Sequence, residues 1–158
     1  MGLKPLHDRF LGAMKPRLPG WRFVATHRHF RRSRPGVNLY LHVGFINHQA
    51  DFDATIDVAV EFVRGKDRVG IVGAELGNIE GVGQVRHSVS CEADAEASAQ
   101  AAVAHFNEFG VPFLERYSNL VAVIGALESG GSEARLICPL EHTRPQLVNA
   151  LRAAARAV

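Results

Sequence analysis

The chain has 158 residues, 47% of them hydrophobic and 22% charged, with a formal net charge of +2. That length supports one domain, residues 1–158, with a core that needs no disulfide or metal staple, and the composition argues against disorder. No run of about 18 uncharged apolar residues occurs, which excludes a membrane-spanning helix.

Cys91 and Cys138 are the only cysteines. They form no CxxC motif and suit a reducing compartment, so a cytoplasmic location is expected. The start, MGLKPLHDRF, carries an acidic residue and no apolar run, unlike a signal peptide. Charge is unevenly distributed. Residues 1–48 carry nine Lys/Arg against Asp8 alone, a balance of +8, and residues 49–158 carry nine against fifteen acids, a balance of −6. Such a chain could present a basic face to an acidic partner. The expectation here is that the two halves neutralise each other within the fold.

In residues 3–15, Leu3, Leu6, Phe10, Leu11 and Met14 recur at three- and four-residue steps, which predicts a helix. Pro16 lacks the amide donor needed to continue it. Leu18-Pro19-Gly20 then turns the chain into residues 21–48, the segment around which the rest is organised. This segment holds the only Trp, five arginines and the pair His27-x-His29, and it reads as a β-hairpin turned at Ser33-Arg34-Pro35-Gly36. In its second strand, 37–46, Val37, Leu39, Leu41, Val43 and Phe45 form the buried side, opposite Asn38, His42 and Gly44.

The first strand, 21–32, has apolar residues on both sides, and a slip of one residue reverses every assignment. A three-residue loop, Arg34-Pro35-Gly36, groups Trp21, Phe23, His27 and His29 with Leu41 and Val43. An even-length loop puts the same residues beside Tyr40, His42 and His48. The three-residue loop is expected, because it lays Trp21 and Phe23 against the apolar stripe.

Residues 49–54 read as a polar connection. Residues 55–63 form a third strand with Ile56, Val58, Val60 and Phe62 inward and Asp57 and Glu61 outward. A turn at 64–67, a fourth strand at 69–76, a glycine-rich loop at 78–83 and a fifth strand around Val85, His87 and Val89 follow. Residues 92–109 are alanine-rich and predict a helix buried through Ala95, Ala99, Ala102, Val103 and Phe106. Glu92, Asp94 and Glu96 suit its N-terminal dipole, and Gly110 with Pro112 should end it. Ser118 should cap a helix that Gly130-Gly131 stops. Residues 134–138 suggest a short strand, and Thr143 with Gln146 a capping box for a last helix buried through Leu147, Val148, Leu151 and Ala155. Helix, strands, then helices is an α+β order: an antiparallel β-meander of four to five strands, opened by an N-terminal helix and followed by C-terminal helices packed mainly on one face.

The opening helix, the GWRF…HFRR…PG hairpin, the alternating third strand and the segment GVPFLERYSNL resemble small uncharacterised bacterial proteins grouped as domain of unknown function 4304. The resemblance covers most of the chain through element order and aromatic positions, and it implies no activity.

Several patterns bear on chemistry. An HxH pair on a strand projects both imidazoles to one side, and His42 across the hairpin could add a third metal ligand. The expected register separates them, and the flanking arginines repel a cation, so no metal is expected. Asp51-Phe52-Asp53-Ala54-Thr55 matches the DxDxT string of aspartate-nucleophile phosphatases. No buried parallel strand precedes it, and it is read as a turn. Gly77, Gly81 and Gly83 lack the context of a phosphate loop. Cys91 lies near a helix start, where thiol pKa values fall, but is read as structural. Arg28, Arg31, Arg32 and Arg34 around Phe30 could hold phosphates beside stacked bases. Solvated arginines, some paired with Asp57 or Glu61, are expected instead, because the rest of the chain is acidic.

The reading is therefore a non-enzymatic cytoplasmic binding domain for an unidentified ligand or protein partner, with no cofactor and no membrane or nucleic-acid partner. Trp21, His27, His29, Tyr40, His42 and Tyr117 are the expected ligand-binding residues, with Trp21, Tyr40 and Tyr117 lining a groove between sheet and helices. The alternatives are a small metal-dependent or His/Asp-based hydrolase using the histidines with Asp51 or Asp53, and nucleic-acid binding through the basic hairpin. The sequence carries no signal for oligomeric state.

Overall fold

In the computed structural model, which describes residues 2–157, the sheet grows outward from β3 (Val37–Asn47), a strand paired on both sides. β2 (His29–Arg34), β3, β4 (Phe52–Arg64) and β5 (Asp67–Glu75) run as an antiparallel meander, and β1 (Arg22–Val24) extends it beyond β2. β6 (His87–Val89) pairs with the start of β4. The α1 helix (Leu3–Met14) precedes the sheet. After it come α3 (Glu92–His105), α4 (Val111–Tyr117), α5 (Leu120–Ser129), α6 (Ser132–Ile137) and α7 (Arg144–Arg156). The α+β meander read from the element order is the architecture observed, extended to six strands.

The pleat divides the sheet cleanly. Phe30, Leu39, Leu41, Val43, Ile56, Val58, Val60 and Val72 are all buried and form one core with Phe10 and Met14 of α1, Ala99 and Val103 of α3, and Leu151 of α7. Each such side chain contributes roughly 1.5–3 kcal/mol through burial, which makes this the face that holds the fold together. Phe10 packs edge-on against Phe45 and Phe52. No helix among the described residues is long and apolar enough to cross a membrane.

The hairpin register differs from the expected one. Arg34 pairs with Val37, so the loop is the two-residue Pro35-Gly36, with Gly36 at φ +77°. Pro at the first loop position and Gly at a positive φ in the second are what a tight turn favours. Residues 21–32 are also not one strand. A 3₁₀ turn, Ala25–His27, and a left-handed Arg28 (φ 50°, ψ 43°) split them into β1 and β2. The interruption resets the alternation, so Phe23 and Phe30 pair with each other and both reach the core side. His29, between them in sequence order, goes to the opposite face, directly across from His42. The aromatics thus reach the core without the three-residue loop.

Other boundaries also move. Phe52 is fully buried and already in β4, so the strand starts inside the expected 49–54 connection. The 78–83 loop is in part helical: α2 (Leu76–Glu80) is capped by the Glu75 carboxylate, which accepts from the Asn78 amide. Gly110 and Pro112 do not end a helix. A π turn, Phe106–Gly110, carries α3 into α4, and Pro112 lies in the first turn of α4, where a missing amide donor is tolerated. Gly110 is needed for contact, since an added Cβ would lie 2.5 Å from the Phe106 ring. Residues 134–137 are helical rather than extended, because Ala134 and Ile137, three apart, bury one face of α6. Asn119, not Ser118, caps α5, and the Thr143 hydroxyl donates to the Leu140 carbonyl instead of capping α7.

Candidate binding site

The face of the sheet turned away from the core carries three parallel lines of side chains running across the strands. One line is Val24, His29, His42, Asp57 and Glu75; the next is Arg22, Arg31, Tyr40, Ala59 and Gly73; the third is Ser33, Asn38, Glu61 and Ile71. Each line consists of directly opposed cross-strand partners, whose Cβ atoms stand about 5 Å apart. The lines enclose a cavity of about 640 Å³ bordered by Arg22, Val24, His27, His29, Arg31 and Tyr40, with His42, Ala59, Arg68 and Ile71 beyond.

The β1–β2 end of this face is cationic. Arg22 stands directly opposite Arg31, and among the described residues neither makes an ion pair with a carboxylate. Like charges placed directly opposite each other are destabilising. One nitrogen of Arg31 donates to Asn38 Oδ1 at 3.0 Å, while its Nε is buried with no hydrogen-bond partner. The His27 and His29 rings stack at 5.4 Å between centroids, and His29 lies 4.9 Å from the Tyr40 ring. Burial, then the charges of His27, His42, Arg31 and Arg22, lower the His29 pKa below the ordinary 6.5.

The middle of the face is tied down by Glu61. Its buried carboxylate accepts from Asn38 Nδ2 at 3.0 Å, from the Tyr40 hydroxyl at 2.9 Å and from Arg68. Burial alone would raise its carboxyl pKa, but those three donors outweigh it and hold Glu61 below the usual carboxylate range. Burial and the same hydrogen bond push the Tyr40 hydroxyl up. The network fixes Tyr40 and Asn38, and through Asn38 it fixes Arg31. The positions of the cationic groups are therefore set before any ligand arrives.

Four of the six expected site residues, His27, His29, Tyr40 and His42, border this cavity. The other two do not. Trp21 packs edge-on against Phe106, 5.4 Å between centroids, on the helical side of the sheet. Tyr117 is buried among the helices, its hydroxyl donating to Glu133 and its pKa pushed up to about 12 by burial and that bond. Tyr40 faces away from both, so the expected groove between sheet and helices lined by all three does not form. The cause is the pleat of β3: Trp21 lies on the side of Leu41 and Val43, as the expected register also had it, and Tyr40 alternates to the other side.

The tip arginines also pair differently from expectation. Arg34 makes a two-pronged contact with Glu115 of α4, 2.7 and 3.2 Å, and Glu61 takes Arg68 instead. His42 faces Asp57, with Nδ1 3.9 Å from Oδ2, and His29 rather than His27 across the ladder. Among the described residues, no group of three or more His, Cys, Asp or Glu side chains is arranged to hold a metal ion. In the DxDxT string, Asp51 lies just before β4, its carbonyl accepting from the His48 amide. Asp53 accepts from Ser88 at 2.6 Å and contacts His48 at 3.3 Å. The Ser88 bond, helped to a lesser degree by His48 and Arg86, outweighs burial and lowers its pKa. It is a latch between β4 and β6.

Arg22, Arg31, Arg68, Ala59 and Ile71 were not among the expected site residues. The even register, once adopted, places 31, 40 and 59 in one line, and the turn at 25–28, which folds β1 back onto β2, adds Arg22 to it. Compared with known proteins, the chain matches no family model, no curated protein and no solved structure.

Proposed function

We propose that this chain is a non-enzymatic binding domain that holds a small anion on the open face of its sheet, between Arg22, Arg31 and His29. The observation that carries the reading is the Arg22–Arg31 pair: two opposed guanidiniums, neither ion-paired to a carboxylate among the described residues, in a cavity that three imidazoles also border. An oxyanion between them would relieve their repulsion and gain charge-assisted hydrogen bonds. Binding rather than catalysis is favoured because the nearby reactive groups are already committed. Glu61 is held by three donors, and the Ser88 hydroxyl donates to Asp53 rather than to an imidazole. A cytoplasmic setting is part of the proposal, supported by two free thiols, as is membership of the group called domain of unknown function 4304, supported by the element order.

A titration of the folded protein with sodium acetate and with inorganic phosphate, followed by amide NMR shifts, tests this. Saturable shifts should map to residues 22–31 and 40–42 and vanish in Arg31→Ala. Shifts spread over the whole surface, or unchanged in that variant, would refute it.

A further inference from the structure

Resting on that reading, we infer that the anion is the head of a small carboxylic acid with an apolar body, and that the body lies across the strands toward α6. In the line Arg22–Arg31–Tyr40–Ala59–Gly73 the side chains shrink steadily, from two guanidiniums to a ring, a methyl group and a hydrogen. The lines on either side, with His42 and Asp57 on one and Glu61 and Ile71 on the other, stand higher. The result is a trough that runs perpendicular to the strands.

Two cavities make up this trough. The first, about 640 Å³, is the cationic one. The second, about 880 Å³, reaches the β5 edge of the sheet and is bordered by Ala59, Ile71 and Gly73 of the open face and by Leu136 and Pro139 at α6, with Asp57, Glu75, Glu133 and Arg135 also around it. They share Ala59 and Ile71, so the cationic end opens over an apolar floor toward an end whose charged groups are mostly carboxylates, which would keep the anionic head at the arginines. From β2 to β5 is three strand spacings of about 4.8 Å, roughly 14 Å, the length of a small elongated molecule.

The floor is held low by packing. A Cβ on Gly73 would sit 2.5 Å from the Val58 carbonyl oxygen and 3.0 Å from the Ala59 methyl group, so no side chain can rise there. Ile71, by contrast, is 42% exposed on the wall of the trough. An apolar ligand body would cover it. A monoanionic head suits the other end, because Arg31 has already given one nitrogen to Asn38 and the Glu61 carboxylate stands one line away. Those features describe a carboxylate on an aryl or branched alkyl chain, within the size range of small-molecule sites.

The test is a calorimetric series at neutral pH with acetate, phenylacetate and phenylbutyrate. Affinity should rise at least about tenfold from acetate to phenylbutyrate as apolar surface is buried. Ala59→Phe should abolish that gain by filling the saddle, so that phenylbutyrate binds this variant no more tightly than acetate does. Should Ala59→Phe fail to fold, Ile71→Asp, at an exposed position, should do the same. Equal affinities across the series, or a gain that survives both variants, would overturn the inference while leaving the anion site standing. No binding of any carboxylate would overturn both. A peptide ending in a free carboxylate that binds far more tightly than phenylbutyrate would show that the trough serves a chain terminus instead.

Discussion

His29 stands directly opposite His42 in the β2–β3 ladder, with its ring 4.9 Å from that of Tyr40. Burial, and then the positive neighbours His27, His42, Arg31 and Arg22, place its pKa below the ordinary 6.5, and burial lowers His7 and His87 in the same direction. A folded state that binds a proton less readily than the unfolded chain is at full strength above the unfolded value and loses stability as pH falls through it. The loss levels off below the folded pKa. The urea midpoint should therefore fall between about pH 7 and about pH 5, above the window where Glu61 and Asp53 titrate. His29→Gln should reduce that fall. An anion between Arg22 and Arg31 offsets the repulsion on His29, so acetate should bind more tightly, with proton uptake, as pH drops from about 7 to about 6, where acetate itself stays ionised. A flat midpoint, or binding that weakens toward acid, would contradict the arrangement.

The two faces of β3 should respond differently to truncation. Leu41 is fully buried, and Leu41→Ala should cost about 2–5 kcal/mol through lost burial and the cavity left behind. The neighbouring His42 side chain is 45% exposed, so His42→Ala should stay within about 1 kcal/mol. Chemical denaturation of the two variants measures both. Equal losses would mean that something covers the open face.

Glu61 is the keystone of the polar network on that face. Glu61→Gln replaces an acceptor of three hydrogen bonds with an amide that can accept only in part, which should cost about 1–3 kcal/mol. Tyr40→Phe, which removes one donor and keeps the ring, should cost about 0.5–1.5 kcal/mol. Glu61→Gln should also weaken acetate binding, because Asn38 then loses its charged acceptor and holds Arg31 less firmly, while Tyr40→Phe, which leaves the Asn38–Glu61 bond in place, should weaken it less. Unfolding curves and the acetate titration, run side by side, separate the two effects.

Nucleic acid should bind poorly. The arginines without an ion pair, Arg22 and Arg31, occupy the β1–β2 end of the face, Arg68 on β5 is paired with Glu61, and Asp57, Glu61 and Glu75 follow on β4 and β5, so a phosphate backbone laid across the sheet would meet carboxylates within two strands. Fluorescence anisotropy with single-stranded DNA and RNA should give affinities no tighter than tens of micromolar at physiological salt, the weak non-specific range. A submicromolar complex lost in Arg31→Glu with Arg32→Glu would reverse this view.

The sequence by itself determined the class of fold. Alternation in 37–46 and 55–63 and the alanine-rich run after 92 are local periodicities, and the segment carries the same period whatever it packs against. It also determined which side of β3 and β4 is buried, because the unbroken apolar stripe of each strand, Val37 to Phe45 and Ile56 to Phe62, lies on one side and the charged residues on the other. Only the tertiary structure decided the register of β2, and with it the site. Residues 21–32 have apolar residues on both sides, so local pattern cannot choose between registers. The choice fell to a left-handed Arg28 and a two-residue Pro35-Gly36 turn, which together let Phe23 and Phe30 reach the core while His29 and Arg31 turn away from it. The trough depended on the same step, since Arg22, Arg31, Tyr40, Ala59 and Gly73 are far apart in sequence and become neighbours only when four ladders fix their registers together.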